Sequence, residues 1–195
     1  MKKNKNKFDL IVIGGGSGGV RAARIAALHG AKVALCEKDR MGGTCVIRGC
    51  IPKKLLFYSS QFQNIFTHSD SYGWFVRGKK YDFLKMIKNK NKEITRLEKI
   101  YEKNIIASGA TILKGEASFI NKNKIKINND IISGDKIIIA SGGTPIPLKV
   151  LGSHFADDSD KIMQLSKLPK TLAIIGAGYI AIEFAFIFAN LGTKV

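Results

Sequence analysis

A chain of 195 residues with 32 Lys and Arg against 15 Asp and Glu carries a formal charge of +17, and its length suits one full core or one domain with part of a second. Its lysines are scattered through stretches also rich in Asn and Ile, such as 88–92 and 121–129, without the interleaved aromatics of a base-stacking surface. They read as solvated faces rather than a nucleic-acid footprint, and their positive field favours anionic substrates and nucleotide cofactors. No apolar stretch approaches bilayer-spanning length, so neither nucleic acid nor membrane is an expected partner. Cysteine is scarce (Cys36, Cys45, Cys50), and the basic lead 1–7 runs into a strand and glycine turn instead of a secretory signal. The expectation is a cytoplasmic setting, in which a disulfide is more often catalytic than structural.

Residues 8–13 are a short, β-branched apolar run without alternation, the pattern of a parallel strand buried on both faces. Gly14, Gly16 and Gly19 follow at once, then an alanine-rich helix over 20–29 ended by Gly30, then a second strand over 32–37. Together they make a β-α-β unit. A long helix is expected over 51–66, entered at Pro52. A second, lysine-faced helix is expected over 81–104, where Phe83, Leu84, Ile87, Ile94, Leu97 and Tyr101 recur at helical spacing. From 105 to 139 the pattern changes to short strands, with Asn128-Asn129-Asp130 the clearest turn.

The opening then repeats. A strand is expected over 172–175, Gly176, Gly178 and Ala181 make G-x-G-x-x-A, a helix follows over 180–190, and Gly192-Thr193-Lys194-Val195 echoes Gly30-Ala31-Lys32-Val33. Such self-similarity means two nucleotide-binding units in one chain. The second copy stops where its second strand would begin, leaving an apolar helix with Phe184, Phe186, Ile187 and Phe188 to be covered. The chain therefore reads as the N-terminal part of a longer protein.

Between a strand and a helix, the first glycine motif lets a backbone approach a pyrophosphate, and the helix N-terminus offers free N–H groups and a positive dipole end. Glu37 lies eighteen residues after Gly19, where an acid accepts hydrogen bonds from ribose hydroxyls; the alternative is a solvated acid at a strand end. Cys45 and Cys50 stand five apart on a glycine-bounded loop leading into a helix. Two small buried residues or half of a metal site are the alternatives, but zinc motifs set cysteines closer and need a second pair, and no His lies nearby, so no metal is expected. The spacing permits a reversible disulfide, with Cys50 near a helix N-terminus, where a thiolate is favoured. Cys36 reads as a packed core thiol.

The segment Gly42-Gly43-Thr44-Cys45-Val46-Ile47-Arg48-Gly49-Cys50-Ile51-Pro52-Lys53-Lys54 resembles the redox segment of the flavin-dependent pyridine nucleotide-disulfide oxidoreductases. The form C-V-I-R-G-C-x-P-K-K is similar to that of bacterial and plant glutathione-reducing members. Ala140-Ser141-Gly142-Gly143 is similar to the family's A-T-G-G connection between domains, with Ser141 in place of Thr. The resemblance implies an α/β fold of the FAD/NAD(P)-binding Rossmann-like type, a two-dinucleotide-binding-domain flavoprotein truncated here. It divides the chain into an FAD-binding domain over 1–145 and the start of an NAD(P)-binding domain over 146–195, with a dimerisation domain outside this chain.

Roles follow position by position from the resemblance. Gly14, Gly16, Ser17, Gly18 and Gly19 would wrap the FAD pyrophosphate, Glu37 would hold the adenosine ribose, and Ala117 would touch the adenine side. Thr44, Cys45 and Lys53 fall at the flavin end, and Gly142, within the domain connection, would also bind the cofactor. Lys53 would pair with Glu183, and a cation there stabilises the charge a reduced flavin gains. Gly176, Ala177, Gly178, Tyr179 and Ile180 fall at the NADPH site. Ser17, Arg24 and Tyr101 fall where the substrate, oxidised glutathione, is held, Arg24 presenting a guanidinium suited to a peptide carboxylate. Electrons would run from NADPH through FAD to a Cys45–Cys50 disulfide and on to glutathione disulfide by thiolate exchange. The general acid this needs comes, in the family, from a C-terminal domain of the partner subunit in a homodimer, so the chain alone is expected to be inactive. Dihydrolipoamide dehydrogenase and mercuric reductase chemistry are alternatives that keep the same redox loop, and a non-catalytic flavin- or nucleotide-binding module is another.

Overall fold

The computed structural model describes residues 6–195; residues 1–5, most of the basic lead, lie outside the described residues. The chain divides into two units, Met1–Ile47 with Ile94–Thr144, and Arg48–Glu93 with Pro145–Val195.

In the first unit the strand β1 (Lys7–Ile13), helix α1 (Ser17–Leu28) and strand β2 (Val33–Glu37) form the expected β-α-β unit. Four further strands, β3 (Thr111–Lys114), β4 (Ala117–Asn121), β5 (Lys124–Ile127) and β6 (Asp130–Ile139), complete a sheet of order β3-β2-β1-β6-β5-β4. β1 pairs in parallel with β2 and β6, and β2 with β3, whereas β5 pairs antiparallel with both β4 and β6. Alternate residues of the central strands feed two cores, Val12, Val33 and Leu35 packing with Val20, Ala23 and Ile105, and Ile11, Ala34 and Cys36 with Phe8, Ile125 and Ile132. The unalternating apolar runs thus have the cause the sequence suggested, burial on both faces. The β5–β6 hairpin turns at Asn128, in the left-handed region at φ 52°, a conformation Asn tolerates better than most side chains.

In the second unit, helix α3 (Cys50–His68), the N-terminal half of α4 (Phe83–Ala107), the short α5 (Ser159–Ile162) and α6 (Tyr179–Asn190) bury Leu56, Phe83, Ile87, Met163, Phe184, Ile187 and Phe188 together. Lys90 on α4 is buried too, donating from Nζ to the Met163 carbonyl. Burial lowers its pKa from the ordinary lysine value, because desolvation disfavours the charged form.

One expectation needs correction. The strand expected over 172–175 does not form: a single parallel bridge, Thr171 to Lys194, stands there, with Leu172 N–H donating to the Lys194 carbonyl over 2.8 Å. A strand exists only by pairing along its length, and its apolar sequence cannot supply that alone. One boundary between the compact units falls between Thr144 and Pro145, and Arg48–Glu93 groups with the later segment, because the apolar faces of α3 and early α4 are covered by the phenylalanines of α6. The short helix α2 (Gly43–Ile47) and α5 went unforeseen.

Candidate functional site

The first glycine motif occupies the turn from β1 to α1. Gly14 has φ 108°, and a Cβ there would stand 2.2 Å from the Ala140 carbonyl oxygen; one at Gly19 would stand 1.8 Å from the oxygen of Gly14. These two glycines are required by the fold, since they let α1 and the end of β6 close on β1. Gly16 and Gly18 are different. A Cβ at Gly18 meets nothing within 4 Å, and one at Gly16 comes no nearer than 3.8 Å to the Gly43 Cα. Their missing side chains leave space at the first turn of α1, where the first N–H groups of a helix have no intrahelical acceptor and an anion can take their place. Gly42, at the head of the redox segment, donates its N–H to the Gly15 carbonyl over 2.8 Å.

Glu37 ends β2 beside this turn. Its Oε2 accepts from Gly15 N–H at 2.6 Å and its Oε1 from Asp39 N–H at 2.7 Å, so the carboxylate is oriented by backbone while each oxygen keeps capacity for a further donor. The Glu37 carbonyl accepts from Gly115 N–H at 2.9 Å, so Ala117, two residues on, begins β4 close to the end of β2. Gly142, at φ 73°, follows the Ala140-Ser141 pair that abuts Gly14.

A cavity of about 230 Å³ opens in the same unit between α1 and the C-terminal half of α4. Ser17 and Arg24 line it from α1 and Tyr101 from α4, so the three residues expected at the substrate converge on one hollow. The structure adds Arg21 and Asn104 to its wall. The sequence reading missed both, although each stands three residues from an expected one, the spacing that puts side chains on one helix face.

Cys45 lies half-buried on α2, whose first two residues are Gly43 and the exposed Thr44, and Cys50 is exposed at the start of α3; both are carried as thiols. Within the second unit, Lys53 stands one turn after Cys50 on α3. Its Nζ donates to Glu183 Oε1 on α6 at 2.6 Å, between residues 130 apart in sequence and only partly exposed. Arg48, between the two cysteines in sequence, is 3.6 Å from Asp160 on α5. The second glycine motif opens α6: Gly176 has φ 108°, Gly178 caps the helix, and Ala177, Tyr179 and Ile180 are exposed. A cavity of about 910 Å³ in this unit is lined by Gly176, Gly178 and Ile180 among others. Among the described residues no group of three or more metal-binding side chains gathers, and no helix is long and apolar enough to cross a membrane.

Comparison with known proteins follows the same lines. The sequence profile of the pyridine nucleotide-disulphide oxidoreductases matches residues 8–195. The chain is 47% identical to a glutathione reductase of Burkholderia cepacia over 191 residues, covering 98% of this chain and 42% of the relative. It is 40% identical to the chloroplastic/mitochondrial glutathione reductase of Pisum sativum, covering 96% and 36%. Among solved structures, the HOCl-induced flavoprotein disulfide reductase RclA from Escherichia coli superposes with a TM-score of 0.83 at 32% identity, covering 95% of this chain and 40% of that one. The chain thus spans about two-fifths of the length of the relatives it matches.

Proposed function

This chain belongs to the pyridine nucleotide-disulphide oxidoreductase family, and on that premise we propose that the complete protein carries electrons from NADPH through FAD and a Cys45–Cys50 dithiol to oxidised glutathione. The observation that carries the reading is the Lys53–Glu183 ion pair at 2.6 Å. It ties the helix that starts at the redox cysteine Cys50 to the helix that starts at the second glycine motif, and it holds an ammonium one turn from the thiol. An ion pair joining these two motifs has a use in a flavin enzyme, where a fixed cation stabilises developing negative charge.

The dinucleotide-binding groups fit FAD at the first motif. Gly16 and Gly18 leave space that the protein does not fill, and Glu37 is held by two backbone N–H groups with oxygens still able to accept from ribose. FAD when bound supplies two-electron transfer from a nicotinamide to a disulfide. The residues of this chain then perform exchange chemistry. The Cys45 thiolate attacks one sulfur of glutathione disulfide, forming a mixed disulfide and releasing one glutathione thiolate. The Cys50 thiolate attacks the Cys45 sulfur, closing the Cys45–Cys50 disulfide and releasing the second glutathione, and two electrons from NADPH return the pair to dithiol. Ser17, Arg24 and Tyr101 orient the substrate in their shared cavity. The same reading divides the protein into an FAD-binding region over 1–145 and an NAD(P)-binding region from 146 onward, and takes the complete protein to be a cytoplasmic homodimer.

Steady-state NADPH oxidation by the complete, FAD-loaded protein tests this. Turnover is expected with glutathione disulfide, and Cys50→Ser is expected to lower it by on the order of 10³-fold or more while flavin absorbance stays. Preference for dihydrolipoamide or mercuric ion, or a folded protein without bound flavin, would overturn the reading.

A further inference from the structure

We propose that Arg40 and Glu98 are a positioning pair for the FAD seat: their ion pair clamps the segment 38–42 to α4 and so holds Gly15 and Glu37 where the nucleotide end of the cofactor binds. The inference rests on the FAD part of the functional reading above and assigns a role to two residues that reading did not use. Arg40 donates from Nε and Nη2 to Glu98 Oε2 at 3.0 and 2.6 Å, and its Nη2 reaches Thr95 Oγ1 at 3.4 Å. Thr95 and Glu98 stand three apart on α4, the spacing that sets both on one face of a helix. The Glu98 side chain is 17% exposed, so water screens this pair less than one on open surface. Two N–H groups meeting one carboxylate oxygen fix direction as well as distance.

What the pair holds is the back of the first glycine turn. Between Glu37 and Gly42 the chain meets Gly15 at three points. Glu37 Oε2 accepts the Gly15 N–H, the Gly42 N–H donates to the Gly15 carbonyl, and the buried Met41 packs so closely that a Cβ on Gly15 would stand 2.5 Å from its sulfur. Arg40 immediately precedes Met41, so releasing it from α4 frees the outer side of the segment that presses on Gly15. A seat that the ligand must itself order binds that ligand more weakly. A second ion pair on the same helix, Lys114 Nζ to Glu102 Oε1 at 2.7 Å, ties α4 to β3 instead of to the segment 38–42, and serves as its comparison.

The experiment titrates FAD into the apoprotein of the complete chain and reads Kd from flavin fluorescence, with chemical denaturation of the same apoprotein as the folding check. Arg40→Ala and Glu98→Ala are each expected to raise Kd about tenfold, and the double variant to stay within about twofold of either single one, since both remove the same tie. Arg40→Lys is expected to recover part of the loss, because one ammonium cannot reproduce the guanidinium fork. Should alanine unfold the protein, Arg40→Lys and Glu98→Gln give the same comparison, with Kd expected to rise about threefold. Glu102→Gln is expected to leave Kd within about twofold of wild type. A merely structural pair would lower the denaturation midpoint and leave Kd unchanged. The inference fails, and the functional reading stands, if both single variants keep Kd within about twofold of wild type, if their effects multiply in the double variant, or if Glu102→Gln raises Kd equally. A folded wild-type apoprotein that takes up no FAD removes the functional reading and the inference with it.

Discussion

Three thiols lie in three environments, and their chemistry should divide accordingly. Cys36 is 1% exposed among Ile11, Ala34 and Ile125, and burial pushes its pKa up to about 11, because a thiolate there would be stripped of water. Cys45 is half-buried and Cys50 exposed. Since the thiolate is the nucleophile, brief treatment of the reduced protein with iodoacetamide at pH 8 should label Cys50 and Cys45 and leave Cys36 unmodified. Peptide mass spectrometry reads the result directly, and Cys36 labelling as fast as Cys50 would contradict the burial. Raising the pH toward 11 should bring Cys36 into play, since its thiolate fraction grows only there. The sequence made this division visible, because Cys36 sits inside an unalternating apolar run while the other two stand on either side of Val46-Ile47-Arg48-Gly49 in a glycine-bounded segment. It did not reveal that Glu37 is engaged by backbone on both oxygens, because the donors, Gly15 and Asp39, take their positions only when the β1–α1 turn and the end of β2 are folded.

At the level of the element, one glycine motif mixes two reasons for being glycine, and substitution separates them. A Cβ at Gly19 would collide with the Gly14 oxygen at 1.8 Å, so Gly19→Ala must push α1 off β1 and should destabilise the fold by about 2 to 3 kcal/mol or more. Gly16 has φ −78° and ψ −173°, extended backbone open to any residue, and a Cβ there finds free space. Gly16→Ala should leave stability within about 1 kcal/mol of wild type but lower the flavin content of the purified complete protein about tenfold or more. Chemical denaturation together with flavin absorbance checks both halves, and a Gly16→Ala protein that retains its flavin would remove the pyrophosphate role from this turn. The β-α-β unit was legible because the period changes from buried strand to alanine-rich helix with a glycine turn between. Helix α2 was not, since Gly-Thr-Cys-Val-Ile has weak helix propensity and the helix forms from its surroundings. The cavity between α1 and α4 was half legible. Arg24 and Tyr101 were reached through resemblance, whereas Arg21 and Asn104 required the two helices to be seen face to face.

Across the whole molecule the two glycine motifs are nearly the same in sequence but sit in unequal backbone environments, which should appear as unequal local stability. In the first unit β1 is paired on both sides, with β2 and with β6, and Ile11, Val12 and Leu35 are fully buried. Opening their amides means separating the sheet together with both of its cores, so they should exchange only through the largest unfolding event of that unit. The corresponding segment before the second motif has one isolated bridge at Thr171, and Ile175 is 71% exposed. With few neighbours to lose, its amides should exchange through small local openings. The two sequences, Leu10-Ile-Val-Ile13 and Leu172-Ala-Ile-Ile175, are close enough in intrinsic β-propensity that composition cannot produce the difference; pairing must. Hydrogen exchange followed by NMR on this chain should show Ile174 and Ile175 exchanging on the order of 10³-fold faster than Ile11 and Val12. Comparable protection in the two segments would mean that 172–175 is held by a full strand ladder after all. The same experiment on the complete protein tells whether pairing is what the segment lacks: if further chain supplies its neighbours, protection at Ile174 should rise toward that of Val12 while Val12 itself stays as it was.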